Sequence, residues 1–167
     1  MTREIALVIV LIVLAIALYA ARTGWLTRVK KYQHLPSLIE GSLAGDVIDK
    51  FHLFYVSTTE AGSPLERVAQ RPLGFRGNAH LVVREDGVEI ALPGEPTALI
   101  TGADIVGVGV ATWTIDKGVE EDGLIFLRWN WGALPVESYF RAVDYPRDSV
   151  IDALQKVIPS TQESGVS

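Results

Sequence analysis

The first apolar stretch of the chain has no polar face. Residues 5–21 (IALVIVLIVLAIALYAA), bounded by Ile5 and Ala21, contain no charge, no glycine and no proline. In a bilayer such a segment satisfies its backbone only as a helix. Its 17 residues rise about 25 Å, slightly short of a hydrocarbon core of roughly 30 Å. Extension to Leu26 closes the gap, puts Tyr19 and Trp25 at headgroup level and lets Arg22 snorkel to the interface. A cleaved signal peptide would have an apolar core of roughly 7–15 residues and a small-x-small cleavage site. The best site here, Leu18-Tyr19-Ala20, has a poor first residue. A buried core helix in so small a chain would be apolar on every face. The pattern therefore predicts a retained single-pass anchor over residues 1–26.

Charge on either side of the run predicts its orientation. Only the amino terminus, Arg3 and Glu4 precede it, whereas Arg22, Arg28, Lys30 and Lys31 follow with no acid before Glu40. The positive-inside rule then places the amino terminus outside and the rest of the chain in the cytoplasm. The same four cations could instead lie against anionic lipid, each contributing roughly 1 kcal/mol; topology signalling is the simpler reading. Residues 27–45 read as a linker, basic first and then small and flexible (Leu35-Pro36-Ser37, Gly41-Ser42, Ala44-Gly45).

From residue 46 the pattern becomes that of strands. Apolar and β-branched runs fall at 48–57 (IDKFHLFYVS), 78–84 (NAHLVVR), 88–92 (VEIAL), 97–101 (TALIT), 105–115 (IVGVGVATWTI), 123–130 (GLIFLRWN) and 136–143 (VESYFRAV). These predict seven strands. Asp86-Gly87 marks a hairpin in which Gly87 would supply a positive φ. Gly107 and Gly109 share one strand face, which suggests a bend or a close approach by a neighbour. Residues 116–122 (DKGVEED) form an acidic turn, and residues 58–77 (TTEAGSPLERVAQRPLGFRG) a long connection between the first two strands. Over 147–158 (RDSVIDALQKVI) the period changes. Val150, Ile151, Leu154, Val157 and Ile158 form one helical stripe, Asp148 and Lys156 suit the helix dipole, and Pro159 stops the helix. That stripe must be buried, and the sheet is the surface available. Residues 46–158 thus form one β-rich domain, and 159–167 a polar, disordered tail.

Composition narrows the function. The chain has 167 residues, 49% of them hydrophobic, which excludes wholesale disorder. It has no cysteine, which excludes disulfides, thiolate metal sites and a cysteine nucleophile. A net charge of −5 and a pI near 5.2 argue against a nucleic-acid partner. Residues 46–158 alone carry 10 basic and 17 acidic side chains, a poor background for holding an anionic headgroup.

Seven antiparallel strands followed by one helix is the order of a pleckstrin-homology-like (PH-like) domain, in which the helix plugs one open end of a bent, barrel-like sheet. Gly74-Phe75-Arg76-Gly77, Ala111-Thr112-Trp113-Thr114-Ile115-Asp116-Lys117 and Ser138-Tyr139-Phe140-Arg141 carry the resemblance further. The chain resembles, from Ile5 to about Ile158, a family of short actinobacterial proteins with one amino-terminal span and a PH-like domain, often labelled export or transporter-associated. One span cannot form a conduit alone, so this resemblance implies membrane residence rather than transport.

Candidate chemistry is sparse. His34 lies in the linker, and His52 and His80 lie in strands; the strand pair could meet across a sheet and bind metal, but polar contacts on a strand face are the more ordinary reading. No Gly-x-Ser-x-Gly, phosphate-binding loop or dinucleotide fingerprint occurs. Glu120-Glu121-Asp122 lacks the alternating ligands of a calcium loop and reads as a solvated turn. No cofactor is expected. Trp113, Trp129 and Trp131 fall in or beside adjacent strands. Cross-strand packing is their first reading, and an aromatic contact surface centred on Trp131 the second. Arg67, Arg71 and Arg76 lie in the 58–77 connection, which PH domains use to hold phosphates.

These observations predict a non-enzymatic, single-pass plasma-membrane protein. Its partners are the bilayer, through the amino-terminal helix, and a protein of unknown identity, received on an edge strand or beside the terminal helix. Alternatives are an accessory subunit of an export or cell-envelope machine, its span packing on other helices through Ala6, Ala15, Ala17, Ala20 and Ala21, and a lipid-headgroup binder.

Overall fold

The computed structural model describes residues 2–32, 34–111 and 123–159. It divides into two compact units, Met1–His34 and Leu35–Ser167.

The first unit is one helix, α1 (Thr2–Lys31), ten residues longer than the apolar run at its carboxyl end. Its window Leu7–Gly24 has a mean hydropathy of 2.3, none of it is buried, and it is long and apolar enough to cross a membrane. Helical structure therefore continues through residues 27–31, which the sequence assigns to the linker.

Among its described residues, the second unit is an eight-stranded antiparallel sheet and one α-helix. Its strands are β1 (Val47–Glu60), β2 (Ser63–Arg67), β3 (Gly77–Arg84), β4 (Gly87–Ala91), β5 (Ala98–Thr101), β6 (Ile105–Ala111), β7 (Leu124–Trp131) and β8 (Leu134–Ala142). They run in the order β5-β4-β3-β1-β8-β7-β6, with β2 paired to the end of β1. Two meanders thus flank the long central strand. Alternation decides which side of each strand is buried: Ala79, Leu81 and Val83 in β3, Val88 and Ile90 in β4, and Leu127, Trp129 and Trp131 in β7. Helix α2 (Arg147–Gln155) buries Val150, Ala153 and Leu154 and packs on β6 and β1. It ends three residues before the sequence predicts. The N–H groups of Lys156, Val157 and Ile158 bond three residues back, so the last turn tightens while Val157 stays buried.

The structure corrects three further readings. The 58–77 connection is not open coil: β1 extends to Glu60 and pairs with an additional strand, β2. That strand carries Pro64 and an outward Leu65, so it buries nothing and has no hydrophobic alternation to reveal it. Gly87 does not have a positive φ. The turn is made by Glu85 and Asp86, and Gly87 is required for space: a Cβ there would lie 2.4 Å from the Ile100 carbonyl oxygen and 2.8 Å from Leu43 Cδ2. Finally, residues 35–45 are not a free linker. Leu35 and Leu38 are buried. The Trp131 indole Nε1 donates to Pro36 O at 2.8 Å, and Leu99 N to Leu38 O at 2.7 Å. Ala44 N donates to Asp86 Oδ2 at 2.7 Å, and Arg84 Nη1 to Gly45 O at 3.1 Å. These residues form a strap across one end of the sheet, held mostly through backbone groups.

Candidate functional site

A β-bulge sets the polar interior beneath the 58–76 segment. The register of β1 against β8 shifts between Tyr55 and Ser57. The extra residue changes side-chain parity, so Tyr55 and Thr58 share a face although they are three residues apart. The Tyr55 hydroxyl donates to Leu73 O at 2.9 Å and shares a 2.8 Å hydrogen bond with Thr58 Oγ1. Thr58 Oγ1 in turn lies 2.7 Å from Ser138 Oγ, which accepts from Trp129 Nε1 at 2.9 Å. Val68 N donates to Thr58 O, and Val68 and Leu73 are fully buried. The loop after β2 is thus pinned to the core at both ends. Burial pushes the Tyr55 hydroxyl well above its ordinary pKa, so it stays a donor.

The three arginines of this segment do not converge. Arg67 Nη2 donates to Gly74 O at 3.1 Å. Arg71 Nε donates to Glu95 Oε2 at 2.8 Å, and its side chain lines a cleft of about 370 Å³ with Leu35, Pro36, Ile39, Gln70 and Pro96. Arg76 is exposed. Two guanidiniums are thus already engaged, which does not make a phosphate clamp. Leu65 and Phe75 are exposed, at 80% and 70%.

Trp131 is 1% exposed and stacks on Trp129, with ring centroids 5.3 Å apart. The packing alternative accounts for it, and it offers no contact surface. Trp113 and the acidic turn 116–122 lie outside the described residues, as does the tail from 160. Arg22 is exposed on α1; the side chains of Arg28, Lys30 and Lys31 lie outside the described ones.

Beside the bulge, Glu137 is buried and accepts from Arg128, its cross-strand partner, at Oε1, and from the Tyr139 hydroxyl at Oε2, 2.6 Å away. Burial first, and then the Glu137 carboxylate, push the Tyr139 hydroxyl up to about 12. The Asp86 carboxylate, accepting from the backbone of the strap at Gly45 and Ala44, is held below its ordinary pKa. Among the described residues, no three His, Asp or Glu side chains converge as a metal site. His52 and His80, however, are cross-strand partners on β1 and β3, with ring centroids 3.9 Å apart; His34 is in the first unit.

The two ends of the sheet differ. The β5 edge is short, and the strap bonds to it at Leu99. On the β6 edge, seven residues long, no strand pairs the outer side among the described residues. Gly109 accepts the close approach expected of it: a Cβ would stand 2.8 Å from the Phe126 ring, the side chain of its cross-strand partner. Val106, at the bulge that starts this edge, is exposed.

A family model described as bacterial PH domain-like matches residues 33–155. No curated protein matches the chain. Among solved structures, the chain is similar to Vav1 inhibited by an allosteric inhibitor, at 14% identity and a TM-score of 0.40, covering 83% of this chain and 34% of that one. It is also similar to the apo activated truncation of Vav1, at 12% identity and a TM-score of 0.43, covering 86% and 35%. The chain therefore spans about a third of the length of these solved chains.

Proposed function

The chain belongs to the bacterial PH domain-like family, and from that premise we propose that it is a non-enzymatic, single-pass plasma-membrane protein whose cytoplasmic domain receives a protein partner by strand addition on β6. The β6 edge, whose outer side no strand pairs among the described residues, carries this reading. A row of unpaired N–H and C=O groups is a template for an added strand, and the opposite edge is already engaged by the strap. The apolar α1 supports the anchor, and the cations at 22–31 support the cytoplasmic orientation.

The test places a photo-crosslinking residue at Val106 of the full chain in its native membrane, and a second at Val143, just past an interior strand. A discrete protein adduct at position 106 and none at 143 is expected. No adduct, or equal adducts at both positions, contradicts the reading.

A lipid surface is the second reading, favoured by exposed Leu65 and Phe75 beside Arg67 and Arg76. Flotation of the fragment 35–167 with anionic vesicles, abolished by changing Leu65 and Phe75 to Ser, supports it; a fragment that stays at the bottom of the gradient rejects it. An accessory role for the span is separated by replacing residues 1–26 with an unrelated anchor: retained function assigns the role to the domain.

A further inference from the structure

We propose that His52 and His80 form a two-imidazole site for a divalent transition-metal ion of the Zn²⁺, Ni²⁺ or Cu²⁺ class. This goes beyond the partner-binding reading and does not rest on it.

The two residues face each other directly on the antiparallel pair β1–β3. Their rings lie 3.9 Å apart at 31°, and both side chains are exposed. Neither imidazole makes a hydrogen bond or ion pair among the described residues. A strand-face histidine held by polar contacts would show such a partner. Here the ring nitrogens are left to solvent, and imidazole nitrogen is a common metal ligand.

The backbone is arranged in advance for this chemistry. Directly opposed residues of an antiparallel pair hold their Cβ atoms about 4.5–5.5 Å apart. Two ring nitrogens bound to one ion at about 2.0–2.1 Å, at angles near 90–110°, stand roughly 3–3.4 Å from each other. To bind one ion, each tilted ring turns about its side-chain torsions until its in-plane lone pair points at the ion, so the coordinating nitrogens converge while the rest of the rings splay apart. On either side of the pair, Phe51 is registered with Leu81 and Leu53 with Ala79, and all four are buried beneath the sheet. The two positions therefore cannot drift apart without opening the core.

The type of site follows from the ligand count. No third protein ligand converges there among the described residues, so water or an exogenous group completes the coordination and the ion is exchangeable. Lys50 lies on the same face of β1, two residues away, and Arg141 pairs with Phe54 on the neighbouring β8. These cations weaken binding. Imidazole nitrogens place Cu²⁺ above Zn²⁺ in affinity.

The test titrates full-length protein in detergent, purified without a polyhistidine tag, with ZnCl₂ and separately with CuCl₂, by calorimetry. One equivalent is expected to bind at pH 7.5. His52→Gln and His80→Gln should each weaken it at least tenfold, while His34→Gln matches wild type. A second measurement does not depend on variants: in the wild-type imidazole NMR spectrum, Zn²⁺ should shift two histidines together and leave the third. No binding at pH 7.5, binding unchanged in both His52→Gln and His80→Gln, or loss on His34→Gln alone overturns the proposal.

Discussion

Ser138→Ala removes one oxygen from the centre of the buried polar interior. That oxygen accepts from the Trp129 indole at 2.9 Å and bonds Thr58 Oγ1 at 2.7 Å. Thr58 keeps its Tyr55 partner, so its loss is partial. The indole N–H keeps nothing, because Trp129 is about 1% exposed and water cannot replace the hydroxyl. A buried donor left unmet costs about 1–3 kcal/mol, and the cavity left by a single oxygen adds little. The expected destabilisation is about 2 kcal/mol, or a fall in Tm of roughly 5–10 °C for a domain of this size. Thermal unfolding of the full chain in detergent can be followed by fluorescence of the buried Trp129–Trp131 stack. A cycle with Trp129→Phe, which removes the donor, makes the test specific. In that background Ser138→Ala should cost at least about 0.5 kcal/mol less. Additive losses, or a single-mutant loss under about 0.5 kcal/mol, refute the network.

Three more expectations follow from the packing. Gly87→Ala drives a methyl against the Ile100 carbonyl and Leu43, so it should destabilise by about 1–3 kcal/mol by denaturant titration; neutrality would show that β4 and β5 separate easily. Trp131→Phe removes the indole bond that holds Pro36 and should speed hydrogen exchange at the Leu99 amide, whose acceptor is Leu38 O. Unchanged exchange there would mean that the strap is held without it. Tyr139 has its pKa raised to about 12 from 10.0 by burial and then by Glu137, so the folded state favours its neutral form. The resulting stability is complete below pH 10 and is lost as pH climbs from about 10 to 12. Tyr139→Phe should flatten the fall of Tm across that interval, and an unaltered slope would contradict the assignment.

The readable parts of this chain were those where burial imposes a period. The stripe from Val150 to Val157, the alternation of β3 and β7, and the shared parity of Trp129 and Trp131 all follow from one side of an element facing the core. What burial does not impose was illegible. β2 exposes Leu65 and is defined by backbone pairing. The strap is held mainly through the carbonyls of Pro36, Leu38 and Gly45, which every residue possesses. The Tyr55–Thr58–Ser138 network depends on a bulge that reverses parity within β1. That His52 and His80 could meet was legible, but that they do meet is decided by register. Of the candidate contacts, the arginines could be named as a group, but the engagement of Arg67 and Arg71 needed three dimensions.

The measurement closest to the central claim is alkaline carbonate extraction of membranes from cells making the full chain, followed by intact-mass analysis. The chain is expected to stay in the pellet with residues 1–26 attached, as a helix of mean hydropathy 2.3 over Leu7–Gly24 should. Recovery in the supernatant, shortened by its first twenty or so residues, would contradict it.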